Sequence, residues 1–263
     1  MGKWADEARE LESLLRLRTL PIAWRRTKTV AEMEKTPRVR RLGHGVFLCQ
    51  MLTLVRNAGW TVGLTVEDFP QCQFKFVGGL VSPTEEHLSG IRRAGYWVKT
   101  PEDARKQMAA LCRIPVDGCQ AVVLAPLAAE KFEPEVVIVY GNPAQLMMLC
   151  CGYQWTDYEK LTFHFIGETA CSDSIAQCYV TGKPALTLPC YGERRLGHAQ
   201  DDELVIALPP GAVARAIEGL RGLAKVGLRY PIPFYGSEGD ASAPLERAYG
   251  EEALKARRAS FSK

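Results

Sequence analysis

Apolar residues recur with helical spacing in some stretches of the chain and in short continuous runs in others. A spacing of three to four residues predicts helices at 4–17, 46–58, 101–112, after 143, at 171–180 and at 212–223. Short apolar or alternating runs predict strands at 21–24, 61–66, 121–127, 135–140, 162–165, 185–188 and 203–208. Since the two kinds of element are mixed throughout, we expect an α+β or α/β fold, with a mixed sheet flanked by helices.

The same pattern bears on domain organisation. It contains no internal repeat, and no linker rich in Pro, Gly and Ser divides the chain before residue 235. We therefore predict a single domain over 1–235, followed by a peripheral C-terminal extension over 236–263. This extension is rich in Gly, Ser and charged residues, with a helix near 244–257.

Composition narrows the function. The chain has 263 residues, 47% of them hydrophobic and 24% charged, and a net charge of +3. This near balance gives no global support to a nucleic-acid partner. No apolar run approaches the roughly 20 residues of a membrane span, so we expect no membrane segment. The N-terminus lacks an apolar signal core, and the cysteine count of nine is odd, so we expect a cytoplasmic protein in a reducing compartment.

Four cysteines lie in unusual local contexts. Cys49 follows Phe-Leu on a predicted helix, Cys72 follows Phe-Pro-Gln, Cys171 precedes Ser-Asp, and Cys190 lies between Leu-Pro and Tyr-Gly-Glu-Arg-Arg. Thiolates are strong ligands for zinc and for iron–sulfur clusters. There is no Cys-x-x-Cys spacing, so these four could converge only through the fold.

Local chemistry adds two expectations. Cys171 lies at the start of a predicted helix, whose positive end would lower the pKa of its thiol. Arg194 and Arg195 follow Cys190 and could stabilise a thiolate there. We expect the remaining cysteines to be inert core residues. For the adjacent Cys150 and Cys151, the alternative is a redox pair.

A second motif is a strand-to-helix turn, Gly141-Asn142-Pro143-Ala144-Gln145. Proline suits the first turn of a helix, and the free amides there favour an anion or polar ligand. The alternative is a well-made turn with Asn142 as the helix cap. We take Gly141, Asn142 and Gln145 as candidate ligand-binding residues, together with Asp173 and Arg194. Glycine fingerprints for dinucleotides and nucleoside triphosphates are absent.

Taken together, these motifs resemble the domain-of-unknown-function family number 169, the uncharacterised ArCR group of bacteria and archaea. The resemblance runs from about Leu20 to about Leu223. It rests on the following stretches: 21–23, 47–51, 67–72, 125–127, 132–137, 141–145, 170–173, 181–184, 190–194 and 201–204. It implies that Cys49, Cys72, Cys171 and Cys190 belong to the family's pattern. Many members come from anaerobes, which is compatible with an oxygen-sensitive cluster. This chain departs from the family at Trp24-Arg25-Arg26 and after Tyr230.

Three functional hypotheses follow. The first is a protein with an iron–sulfur cluster, such as [4Fe–4S], or a metal such as zinc, ligated by the four cysteines. It would act in a redox or reductive reaction of anaerobic metabolism, as an oxidoreductase if it is an enzyme. The second is a metal-free enzyme with Cys171 or Cys190 as nucleophile. The third is a non-catalytic binder of a small ligand at Gly141–Gln145. Expected partners are a small-molecule substrate or an electron-transfer protein, and the apolar helices could equally face a second subunit.

Overall fold

The computed structural model describes residues 2–234 and 250–261. Strands in these residues are β1 (Ile22–Thr27), β2 (Val39–Arg40), β3 (Thr61–Thr65), β4 (Ala121–Pro126), β5 (Val136–Gly141), β6 (Ala185–Thr187) and β7 (Leu204–Leu208). They form one seven-stranded sheet in the order β2-β3-β4-β1-β5-β7-β6. The β2–β3 pair is parallel, and the other neighbouring strands are antiparallel. This pattern makes the fold α+β, the first of the two predicted classes.

Helices surround this sheet. Those in the described residues are α1 (Lys3–Leu15), α2 (Val30–Glu34), α3 (Leu48–Ala58), α4 (Phe74–Val77), α5 (Glu85–Ser89), α6 (Pro101–Ala110), α7 (Pro143–Gln154), α8 (Gln177–Thr181), α9 (Tyr191–Arg195), α10 (Pro210–Lys225) and α11 (Glu251–Phe261). Local sequence explains several of their ends. Thr100 caps α6 by accepting the N–H of Asp103 at 3.1 Å, and Gly59 ends α3 in the left-handed conformation with φ of 71°.

The alternation of side chains along the strands divides the core in two. On β5, Val137 and Val139 face α1, α7 and α10. Val136, Ile138 and Tyr140 point to the other side, where they join a core that includes residues of α3 and α4 and also Cys72 and Cys171. We call this second side the cysteine face of the sheet and the first side the opposite face. Both sides of β5 are buried, which explains its continuous apolar run.

Most predicted elements are confirmed to within a few residues. The strand predicted at 162–165 is wrong: Phe163 forms only an isolated bridge with Leu186, and 164–166 form no strand. The helices that the pattern did not predict, α2, α4, α5 and α9, have four or five residues each. Elements this short complete barely one turn, so they show no periodicity.

The chain divides into two compact units, Met1–Tyr230 and Pro231–Lys263. The first unit contains the sheet, and the described part of the second contains α11. The predicted boundary after residue 235 lies outside the described residues, as does the first part of the helix predicted at 244–257. Among the helices that the structure describes, none is long and apolar enough to cross a membrane.

Candidate functional site

The four cysteines predicted as ligands come from four separate segments and meet on the cysteine face. Cys49 lies in the first turn of α3, and Cys72 lies in the turn that precedes α4. Cys171 lies at the start of a helical segment that continues into α8. Cys190 is the N-cap of α9. Their approach therefore depends on tertiary packing, which explains why no sequence spacing revealed it.

The four thiols lie near enough to one another for their charges to interact. Cys72 and Cys190 both raise the pKa of Cys49, and all three raise the pKa of Cys171. Gly192 supplies a direct measure for one pair. A Cβ atom at Gly192 would lie 3.7 Å from Cys190 Sγ and 3.8 Å from Cys49 Sγ. These two sulfurs therefore border a small space that a side chain at position 192 would occupy.

Burial decides the ionisation of these thiols. It is the largest cause raising the pKa of Cys49, Cys72, Cys171 and Cys190, the last to about 11. The expectation that a helix end would lower the pKa of Cys171 was wrong, because burial and the neighbouring thiols outweigh any helix effect. Without a bound cation, the thiols are protonated at neutral pH.

Backbone amides nevertheless point at the sulfurs. Leu48 donates its N–H to Cys72 Sγ at 3.5 Å, and the N–H of Phe74 also lowers the pKa of Cys72. The backbone N–H groups of Ala170, Gly192 and Glu193 act in the same direction on Cys190. Donors of this kind stabilise a thiolate once a positive charge makes ionisation favourable.

A buried carboxylate, Glu193, lies beside the thiols, although no sequence pattern distinguished it as a site residue. Its side chain is 4% exposed. Oε1 accepts a hydrogen bond from Tyr140 at 3.2 Å, whereas Oε2 has no hydrogen-bond partner. Burial raises the pKa of Glu193 to about 7, against the lowering effects of Tyr140 and Arg56. Its charge raises the pKa of Cys49, Cys171 and Cys190.

The donor set suits a thiolate-binding metal group, but the arrangement is not that of a single-ion site. In residues 2–234 and 250–261, no three His, Cys, Asp or Glu side chains are arranged to hold one metal ion. A tetrahedral zinc ion with Zn–S bonds of about 2.3 Å requires its sulfurs to converge closely. In a four-iron cluster each iron binds a different thiolate, so the sulfurs stand farther apart. Four neighbouring thiols, two of which border a space kept open by Gly192, fit the cluster better.

The backbone after Cys171 is also unusual. Residues Ser172–Ala176 form a π turn within the helical segment that ends at Thr181. Ser172 Oγ donates to Cys112 O at 2.9 Å and Ser174 Oγ donates to Ala170 O at 2.7 Å. Such turns are rare and occur often at functional sites. Sequence periodicity predicted a helix here but could not reveal its widened turn.

The strand-to-helix turn is placed elsewhere. Asn142 Oδ1 accepts the N–H of Gln145 at 2.9 Å, and Gln145 Oε1 accepts the N–H of Asn142 at 2.8 Å. Asn142 Nδ2 donates to Tyr230, and Gln145 Nε2 donates to the carbonyls of Leu15 and Arg16. All the side-chain polar atoms of the pair thus have partners within the chain. Gly141 ends β5, and the helix that follows packs on the opposite face of the sheet.

The other two candidates also have internal partners. Asp173 Oδ2 accepts the N–H of Ile166 at 2.7 Å, and burial raises the pKa of its carboxyl. Arg194 Nη1 donates to Gln200 O at 2.5 Å. Arg93, in contrast, interacts with one of the four thiols, because the charge of Cys171 raises the pKa of its guanidinium. Binding roles for Gly141, Asn142, Gln145, Asp173 and Arg194 stay predictions.

All nine cysteines lie within residues 2–234, and none forms a disulfide. Cys119 and Cys178 are buried, in line with a core role. Cys150 and Cys151 lie on α7 and pack against the core of the opposite face. They are thus separated by the sheet from the four gathered thiols.

Comparison with known proteins places the chain in a family. The model of the uncharacterised ArCR family, domain of unknown function 169, matches residues 10–219, and the chain belongs to this family. An uncharacterised protein of Methanocaldococcus jannaschii is 26% identical over 129 residues, which cover 49% of this chain and 55% of the relative. The match thus spans about half the length of that relative. No solved structure gives a significant match.

Proposed function

We propose that the protein holds an iron–sulfur cluster on Cys49, Cys72, Cys171 and Cys190 and acts in a redox or reductive reaction. The observation that carries this proposal is the convergence of four thiols on the cysteine face. The sulfurs of Cys49 and Cys190 flank one space at Gly192, Cys72 Sγ accepts the N–H of Leu48, the neighbour of Cys49, and the charge of Cys171 is coupled to the other three. A bound cluster would supply electrons one at a time to a partner or substrate.

The residues of the chain have distinct parts in this proposal. The four thiols would be the ligands, and the backbone N–H groups of Leu48, Gly192 and Glu193 would stabilise their negative charge. Gly192 leaves room between two of the sulfurs. The raised pKa values do not favour a metal-free nucleophile, which requires a thiol with a low pKa. A reducing, cytoplasmic location and a small-molecule or electron-transfer partner belong to the same proposal.

The test is the amount of iron, zinc and acid-labile sulfide per chain in protein purified without oxygen, with a visible spectrum of the same sample. We expect iron and sulfide in stoichiometric amounts and a broad visible absorbance. Each of Cys49→Ser, Cys72→Ser, Cys171→Ser and Cys190→Ser should reduce both. Cys151→Ser, on the opposite face, is the matched control and should not.

Two results would contradict the cluster. Zinc without iron, lost in the same four variants, would show a single-ion site instead. A colourless protein without any metal, with serine variants indistinguishable from the control, would remove the basis for both forms of the proposal.

A further inference from the structure

A cavity of about 410 Å³ opens beside the gathered cysteines. Its wall is formed by the turn around Cys72, by residues between Thr84 and Arg93, and by Met108 of α6. Cys72 is at once part of this wall and part of the set of four thiols. A molecule in the cavity would therefore lie next to the proposed cluster.

Positive charge dominates the surroundings of the cavity. Lys75, Arg92 and Arg93 line it, and Arg92 is paired with Glu86 at 2.8 Å. Lys75 Nζ donates to Pro70 O at 3.1 Å and has no ion pair within the part of the chain that the structure describes. Arg113 lies close enough to lower the pKa of His87. The cationic charges thus exceed the carboxylates, which favours an anionic ligand.

Arg93 is the most informative of these residues. Its side chain is only 5% exposed, and its Nη2 atom is 2.8 Å from Glu168 and donates to Thr169 Oγ1 at 3.3 Å. Nη1 is buried and has no hydrogen-bond partner. A buried guanidinium donor without an acceptor is rare in folded proteins. Arg93 also lines the cavity, so its guanidinium is a candidate partner for a ligand oxygen.

His87, which also lines the cavity, supports the same conclusion. Its Nε2 atom is buried without a hydrogen-bond partner, and its ring stacks on Phe76 with centroids 4.0 Å apart. Burial, together with the charges of Arg113, Arg93 and Lys75, lowers the pKa of His87 to about 4. The imidazole is therefore neutral at pH 7 and can form a hydrogen bond to a ligand without adding charge.

We propose that this cavity binds a small molecule with a carboxylate or phosphate group, held by Arg93 and Lys75 and contacted by His87, directly beside Cys72. This ligand is the substrate class of the proposed redox site. That the ligand is a substrate rests on the proposed function, but binding of the ligand can be measured separately.

The experiment is calorimetric titration of the full chain, purified without oxygen, at low ionic strength. The probes are inorganic phosphate and succinate, with neutral succinamide as the control. We expect one of the two anions to bind and succinamide not to bind; which anion binds distinguishes a phosphate from a carboxylate ligand. Lys75→Gln should weaken binding about tenfold and Arg93→Gln more, since hydrogen bonds to charged groups are the stronger ones. Arg105→Gln, an exposed change on α6, should bind as the unaltered protein does.

A second measurement covers the case in which Arg93→Gln fails to fold. The NMR signal of the His87 ring, assigned by its loss in His87→Gln, should titrate at higher pH once the anion is bound, because a neighbouring negative charge favours imidazolium. The inference is overturned if neither anion binds, or if Lys75→Gln binds as tightly as the unaltered protein and the His87 titration does not move. Iron measured in the same samples separates the two proposals: iron without anion binding contradicts only this inference, and anion binding without iron contradicts only the cluster.

Discussion

Tyr140 donates a hydrogen bond to Glu193 at 3.2 Å, and both side chains are buried beside the gathered cysteines. This bond joins the end of a central strand to the short helix that Cys190 caps. The other carboxylate oxygen, Glu193 Oε2, is buried next to three of the thiols and accepts no hydrogen bond.

The negative charge of Glu193 should keep the pKa values of the neighbouring thiols raised. In metal-free protein, Glu193→Gln removes a negative charge that raises the pKa of Cys49, Cys171 and Cys190. We expect thiolate absorbance in the ultraviolet to rise at lower pH in the variant than in the unaltered protein. Glu218→Gln, an exposed change on α10, should leave the titration unaltered. Identical curves for the two variants would show that Glu193 does not act on the thiols.

Metal binding should require a residue without a side chain at position 192. In Gly192→Val the Cβ atom makes ordinary contacts with two sulfurs, so the chain should fold, but the branched side chain fills the space between them. We expect at least about a tenfold loss of metal affinity, comparable to changes next to other metal ligands. Circular dichroism should be unchanged, and Gly211→Val, where a Cβ meets open space, should retain iron. Full iron content in Gly192→Val would argue against a group between Cys49 and Cys190.

The buried Arg56–Glu203 pair should be critical for stability. Arg56 binds both carboxylate oxygens at 2.9 and 3.1 Å, lies 4.1 Å from the Tyr140 ring centroid, and is 2% exposed. Arg56→Met leaves a buried charge unpaired and should reduce the free energy of unfolding by about 3–5 kcal/mol. Arg18→Met breaks an exposed pair with Asp202 and should cost less than about 1 kcal/mol. Urea unfolding compares the two, and equal losses would contradict the distinction.

His87 should make stability depend on pH. Its pKa is about 4 in the folded chain against 6.5 as the ordinary value, so the unfolded chain binds more protons between these limits. The stability from neutral His87 is present above pH 6.5 and is lost as the pH falls toward 4. On going from pH 7.5 to pH 4, the free energy of unfolding should therefore fall less in His87→Gln than in the unaltered protein. Because His87 is partly exposed, we expect this difference to be about 1–3 kcal/mol. Unfolding by urea at several pH values measures this, with exposed His44→Gln as the control; parallel curves would show that His87 does not titrate as described.

The capping pair on α7 should matter for stability and not for metal content. Asn142→Ala removes the acceptor for the Gln145 N–H and should cost about 1 kcal/mol. Gln145→Ala should cost more, since it also frees the buried carbonyl of Leu15. Thermal unfolding and iron content are measured on the same samples. Loss of iron in either variant would connect this turn to the cysteine site, against its position on the opposite face.

The sequence predicted an α+β or α/β fold and its main strands, because the apolar patterns are long enough to show a period; only the strand pairing decides between the two classes. It also singled out the four cysteines, though only their contexts and a family resemblance pointed to them. It could not predict that Cys49 and Cys190 border one space, because that depends on how α3 packs against α9. Nor could it identify Glu203 as structural, because only the fold shows its buried partner Arg56.

The cavity beside Cys72 was beyond the reach of sequence patterns for a similar reason. Lys75, His87 and Arg93 belong to short helices and turns, where no periodicity distinguishes a functional residue from a solvated one. Their significance comes from burial and from missing partners, which are properties of the packed chain. The Gly192-Glu193 dipeptide, in contrast, lies within a motif that carried the resemblance, and its closeness to Cys190 was the one available signal.

The π turn at Ser172–Ala176 has a consequence for how the chain can vary in length. A π turn takes one residue more than an α-helical turn, because each N–H reaches back five residues instead of four. Removing one residue between 172 and 176 would restore a regular helix and rotate Cys171 by about 100° relative to α8. The register of this one turn therefore sets the direction of a thiol. Among relatives, a one-residue gap here should accompany the loss of the cysteine that matches Cys171.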